Sequence, residues 1–177
     1  MLTSYAVYEL PVGTGKKFGS NWNPVARNVI GNWSVTGMLS LRGGFPTSME
    51  GSDASGTGSR GARPSCNGPH HTFGTKNASD GGYQWFDPSP YSNAAPGTFG
   101  TCGNGTEYGP GLRELDMSFQ KNFRVTERYR VEFRSEFINF TNTPILGNPG
   151  AWLGGGLGKV QGSQGPRNLQ FGLKIYY

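Results

Sequence analysis

No run of apolar residues in this 177-residue chain approaches the roughly 18 that a membrane-spanning helix needs, so a helical span is excluded. Cysteine is nearly missing. Cys66 and Cys102 are the only two, and neither has the close second Cys or Cys/His pair that a zinc site requires. In an oxidising compartment the two are expected to form one disulfide rather than stay free thiols. Hydrophobic residues make up only 34% of the chain, which argues against a large conventional core. Acidic residues are few, 11 against 16 Lys and Arg, and Arg124, Arg128, Arg130 and Arg134 cluster. Nucleic-acid binding needs an unbroken basic patch, but Glu127, Glu132 and Glu136 interleave with this one, so no nucleic-acid partner is expected. No secretory leader is apparent either. Met1 is followed by Leu-Thr-Ser-Tyr, which reads as the middle of a strand, so the chain is expected to begin partway through a larger structure.

What the chain does have is glycine, proline and aromatic residues. Its 30 Gly and 12 Pro are joined by a 13% aromatic share, too high for simple disorder. Alternating strands joined by long Gly/Pro loops reconcile these facts. The last ten residues show the pattern best. Leu169, Phe171, Leu173, Ile175 and Tyr177 share one parity, and Asn168, Gln170, Gly172, Lys174 and Tyr176 the other. The same two-residue period predicts strands over about 2–10, 29–42, 112–123 and 127–140. In the fourth, Tyr129, Val131, Phe133 and Phe137 oppose Arg128, Arg130, Glu132, Arg134 and Glu136. All five segments reach the roughly 9–11 residues that a tilted membrane strand needs.

The connections alternate in length. Residues 124–127 form a tight turn and 11–28 a moderate one, while about 43–111 and 141–167 form long Gly-rich loops. Outer-membrane barrels show this asymmetry, with short periplasmic turns and long external loops. The reading is an all-β, antiparallel meander of about five long strands, part of a transmembrane β-barrel. A C-terminus in the periplasm puts the 124–127 turn there and both long loops outside. Arg128, Arg130, Glu132, Arg134 and Glu136 then face a polar lumen. Five strands are too few to close, since such barrels have eight or more, and open edges in lipid leave backbone groups unpaired.

Several segments are familiar in combination. GPGLRELDMSFQKNFRVTERYRVEFRSEFINFTNTPILGNPG (Gly109–Gly150) is followed by PRNLQFGLKIYY (Pro166–Tyr177). Ahead of them stand YELPVGTGKKF (Tyr8–Phe18), NVIGNWSVTGMLSLRGGFPTS (Asn28–Ser48) and WFDPSPYSNAAPGTFG (Trp85–Gly100). Together they resemble the C-terminal end of TonB-dependent outer-membrane receptors, closest to the Oar-like subgroup common in Acidobacteria, which carries a carboxypeptidase-regulatory-like N-terminal domain. The resemblance covers nearly the whole chain. It implies a barrel of about 22 strands around a plug, energised through TonB, that imports glycans, peptides, vitamins or metal chelates. Residues 1–177 would be its C-terminal barrel segment, without the plug and N-terminal domains. Only barrel-wall and external-loop roles carry over. The implied partners are outer-membrane lipid, the remaining strands and plug, and the barrel-assembly machinery, for which Tyr177 matches the terminal aromatic signal. The implied location is the bacterial outer membrane.

Candidate chemistry is sparse, and no cofactor or metal is expected. Glu132 and Glu136 share a strand face but sit about 13 Å apart along the backbone, beyond the roughly 5–10 Å of glycosidase carboxyls. Lumen ion pairs are the plainer reading. If the chain is instead a stand-alone β-domain with glycan-hydrolase activity, Asp116, Glu132 and Glu136 are the residues to test. His70 and His71, near Cys66 and Asp80, point opposite ways in extended backbone and make a poor metal site. Gly13-Thr14-Gly15-Lys16 lacks the Ser/Thr that must follow a phosphate-loop lysine. Tyr83, Trp85, Phe86 and Tyr91 gather in the long loop with Asp80 and Asp87. Such aromatics beside carboxylates suit sugar stacking, and the alternative is that they pack the loop on itself. A self-assembling β-sheet is a third possibility, since unpaired strand edges invite edge-to-edge association.

Overall fold

The alternating segments come together as one five-stranded antiparallel sheet. The computed structural model describes residues 1–60, 62–79 and 81–177. In chain order the long strands are β1 (Leu2–Glu9), β2 (Trp33–Arg42), β3 (Leu112–Arg124), β4 (Arg130–Ile138) and β5 (Asn168–Tyr176), and they pair as a simple meander in that order. β1 pairs with β2 from Leu2↔Leu41 to Glu9↔Ser34. β4 pairs with β3 through Ser135↔Phe119 and with β5 through Ser135↔Phe171, which puts like parities on one face. One face thus carries Met117, Phe119 and Phe123, then Val131, Phe133 and Phe137, then Leu169, Phe171, Leu173 and Ile175. The other carries Ser118, Gln120 and Asn122, then Arg130, Glu132, Arg134 and Glu136, then Gln170, Lys174 and Tyr176.

Local chemistry trims two of the expected strands. The second was to start at Val29, but Pro24–Ile30 form helix α1. Asn23 caps it, its side-chain oxygen accepting from the Ala26 N–H at 2.7 Å, and Pro24 presets the first turn. The helix ends at Gly31, where a Cβ would strike the Gly13 backbone. The fourth strand was to start at Glu127. Instead Thr126 Oγ1 accepts the N–H groups of Arg128 and Tyr129, so 125–129 is a wider turn. At its far end β4 stops because Asn139 takes a left-handed conformation (φ 54°), with both its side-chain amide groups bonded to Thr143.

The two long loops, by contrast, fold. The chain divides into a sheet unit (1–41, 113–143, 165–177) and an excursion unit (42–112, 144–164), each compact. The excursion holds a three-stranded sheet ordered Lys159–Val160, Tyr83–Phe86, Thr72–Asn77, and two strand pairs, Pro46–Thr47 with Glu107–Tyr108 and Ser65–Cys66 with Tyr91–Ser92. Its core is Met49, Phe86, Tyr91, Cys102 and Leu157, with Cys66, Trp85 and Leu153 packed on it. Cys66 and Cys102 are joined as a disulfide.

Candidate functional site

The polar face of the sheet is organised by one arginine. Arg134 stands between Glu132 and Glu136, two residues away on each side and on the same face of β4. Its guanidinium reaches Glu132 Oε1 at 3.2 Å and Glu136 Oε1 at 3.5 Å. The second oxygen of Glu132 accepts the Tyr176 hydroxyl at 3.0 Å from neighbouring β5. Arg130 and Lys174 lie over the Tyr176 ring, at 4.5 and 4.7 Å from its centre. On β3, Asp116 accepts the Asn139 N–H at 2.8 Å. Of the five residues assigned to this face, Arg130, Glu132, Arg134 and Glu136 are on it. Arg128 is not, because the wider turn removes it from the strand and leaves it beside Tyr129. The arrangement is a strip of mutually satisfied charge. Asp116, Glu132 and Glu136 each have a partner within it.

The opposite face is a ladder of rings. Trp33 meets Phe133 edge-on at 6.1 Å, Phe133 stacks on Phe171 at 6.4 Å, and Phe119 meets Phe137 edge-on at 5.7 Å. Phe171, Leu173 and Ile175 remain exposed. Two polar residues interrupt it. Ser135 donates to the Phe119 carbonyl. Lys121 is buried, and its ammonium donates to the carbonyls of Val29 and Gly31 at the end of α1.

In the excursion the aromatic cluster proves structural in part. Phe86 has no exposed surface and Tyr91 almost none, so neither offers a face to a ligand, which corrects the sugar-stacking expectation for both. They pack edge-to-face at 5.9 Å. The Tyr91 hydroxyl donates to the buried Glu107 at 2.7 Å and lies 2.7 Å from His70 Nδ1. Burial first, then Glu107, pushes the Tyr91 phenol well above its ordinary range. Trp85 is half-buried with its indole N–H on the Tyr108 carbonyl, and Tyr83 is half-buried in its strand. Asp87 accepts the Ser89 N–H, which holds its carboxyl below the usual range. Asp80 lies outside the described residues. The two histidines part company, His70 toward Tyr91 and His71 against the Phe73 ring.

The sequence reading missed a cavity of about 430 Å³ lined by Asp53, Arg60, Arg63, Thr98 and Phe99, among others. Asp53 is its anchor. Its carboxylate accepts the N–H groups of Ser55, Gly58 and Ser59 and is held below the usual range, chiefly by the Ser55 hydroxyl. The Asp-Ala-Ser-Gly-Thr-Gly-Ser run was the available signal, since Asp followed by Ser and Gly favours such side-chain-to-backbone turns.

A family model described as an outer membrane beta barrel domain matches residues 1–170. Neither a curated protein nor a solved structure gives a match.

Proposed function

The chain belongs to the outer membrane beta barrel domain family, and on that premise we propose that it forms the C-terminal wall of a TonB-dependent transporter importing glycans, peptides or metal chelates. It is a barrel-wall protein of the bacterial outer membrane. The observation that carries the finer reading is the sheet with two unlike faces. One is an exposed ladder of rings and aliphatic side chains fit for lipid. The other is an ion-paired strip centred on Arg134, fit for a water-filled lumen. The long connections support the same reading. They fold into a compact unit with its own cavity, as an external ligand-gathering surface does.

In this reading β1 and β5, each paired on one side only among the described residues, hydrogen-bond to further strands of the receptor. The test is uptake of labelled oligosaccharides, peptides and ferric chelates by cells carrying the intact gene, compared with cells in which this segment is deleted. Energy-dependent uptake of one class, lost on deletion and on collapse of the proton gradient, is expected. Uptake indifferent to both treatments overturns the transport reading. Recovery of the protein only as sheet-edge fibres, absent from the membrane fraction, overturns it in favour of self-assembly.

A further inference from the structure

Helix α1 buries none of its residues. Most helices in proteins owe their stability to packing an apolar face against something. Here the large apolar residues point outward: Val25 is 72% exposed, Val29 59% and Ile30 52%, and Trp22 and Phe18 of the preceding segment are exposed too. Val25 and Val29 are four apart and so share one side of the helix.

The side of the sheet on which the helix lies is fixed by hydrogen bonds. Lys121 and Trp33 both belong to the apolar face, since Trp33 meets Phe133 there and Lys121 sits directly across from Phe133. Lys121 donates to the carbonyls of Val29 and Gly31, and the Trp33 indole N–H donates to the Val29 carbonyl at 3.0 Å. The C-terminal end of α1 is therefore tied to the apolar face, at the end of the sheet that carries the 125–129 turn. The bonds serve both partners. A lysine on a lipid-facing surface is costly unless its charge is met, and the carbonyl end of a helix is the negative pole that meets it.

Charge agrees with position. The whole connection between β1 and β2, residues 10–32, contains Lys16, Lys17 and Arg27 and no acidic residue. Glu9, at the end of β1, pairs with Lys16 at 2.6 Å, which leaves Lys17 and Arg27 as the surplus cations. A short helix with apolar side chains outward, a tryptophan beside it and a surplus of cations has the makeup of a segment lying in a bilayer interface with anionic headgroups.

We propose that the β1–β2 connection is an interfacial anchor. Helix α1 lies at the headgroup–acyl boundary, continuous with the lipid-facing ladder of the sheet. Val25, Val29 and Ile30 enter the acyl edge, and Lys17 and Arg27 face anionic phospholipid headgroups. This rests on the lipid-facing reading of the sheet, and the experiment separates the two. Val25→Cys and Leu173→Cys variants of the full chain, with the Cys66–Cys102 disulfide kept oxidised, carry an environment-sensitive fluorophore on the new thiol. They are reconstituted into phosphatidylethanolamine–phosphatidylglycerol vesicles. Quenching by headgroup nitroxide lipid, mid-chain nitroxide lipid and aqueous iodide then reports depth.

The Val25 label is expected to respond most to the headgroup nitroxide, and the Leu173 label most to the mid-chain nitroxide. A Val25 label quenched mainly by iodide, with Leu173 still deep, overturns the anchor and leaves the barrel standing. Both labels quenched mainly by iodide overturns the barrel reading, and the anchor with it. A Val25 label quenched most by the mid-chain nitroxide overturns the interfacial placement.

Discussion

The sheet unit and the excursion unit solve opposite problems with the same residue types. In the excursion, Met49, Phe86, Tyr91, Ala94, Cys102, Ile145, Leu157 and Val160 are buried. In the sheet unit, among the described residues, no hydrophobic side chain is buried, while Lys121, Ser135 and Asn139 are. There Leu2, Tyr8, Leu169, Phe171, Leu173 and Ile175 lie exposed on long, regular strands. A water-soluble fold rarely leaves so large a contiguous apolar surface open. The excursion carries its apolar solvent inside itself, whereas the sheet takes its own from the bilayer. One chain thus holds a unit that water stabilises and a unit that lipid stabilises.

Three perturbations sharpen or break that contrast, in descending size. Phe86→Ala empties the centre of the excursion core and is expected to cost that unit about 3–5 kcal/mol. Limited proteolysis should then cut within 42–112 while the sheet of membrane-inserted protein stays protected. Simultaneous loss of the sheet would show that the two units are not independent. Leu173→Arg, on the apolar face, is expected to weaken insertion into vesicles by about 2–4 kcal/mol if the position is near mid-bilayer. The neighbouring Lys174→Arg on the polar face should leave the folded fraction on a gel-shift assay unchanged. Equal effects of the two would remove the case for a lipid face and a lumen face.

The smallest effect is that of alkaline pH on the excursion. The Tyr91 phenol is raised in the folded state. Its contribution is therefore fully present below the ordinary tyrosine value of about 10 and is lost as pH climbs above it. The thermal midpoint of the excursion in wild-type protein should fall between about pH 10 and 12, and Tyr91→Phe should flatten that decline. An identical decline in both proteins would clear Tyr91 of the role.

The sheet was legible because its information is local. A two-residue period over nine or more positions names a strand, its length and its faces without knowledge of anything distant, and β1, β3 and β5 fell within a residue or two of expectation. The helix was legible in principle, from Asn23 and Pro24 at one end and Gly31 at the other, but 24–28 read as part of a turn and Val29 as the start of the next strand. Arg128 was misplaced for a similar reason. Its parity matches Arg130 and Arg134, but the Thr126 hydroxyl accepts the Arg128 and Tyr129 N–H groups and holds both in the turn, so the strand begins only at Arg130. The excursion was not legible. Its order comes from contacts such as Gln84 with the Leu157 carbonyl, 73 positions away, and no local period encodes those. Sequence alone therefore left Tyr83, Trp85, Phe86 and Tyr91 between a sugar-stacking cluster and self-packing of the loop, and two of the four are core.

The excursion is built from two separate lengths of chain, and this bears on the order of assembly. Leu157 and Val160 complete a core whose other members, Met49, Phe86 and Cys102, come far earlier. The β3–β4 hairpin lies between them in sequence. As the chain emerges into the oxidising periplasm, the first length must therefore wait, its apolar residues uncovered, until the hairpin and the 144–164 segment have followed. The Cys66–Cys102 disulfide lies wholly within that first length, so it can form in the interval and hold the half-built unit together until its missing side chains arrive.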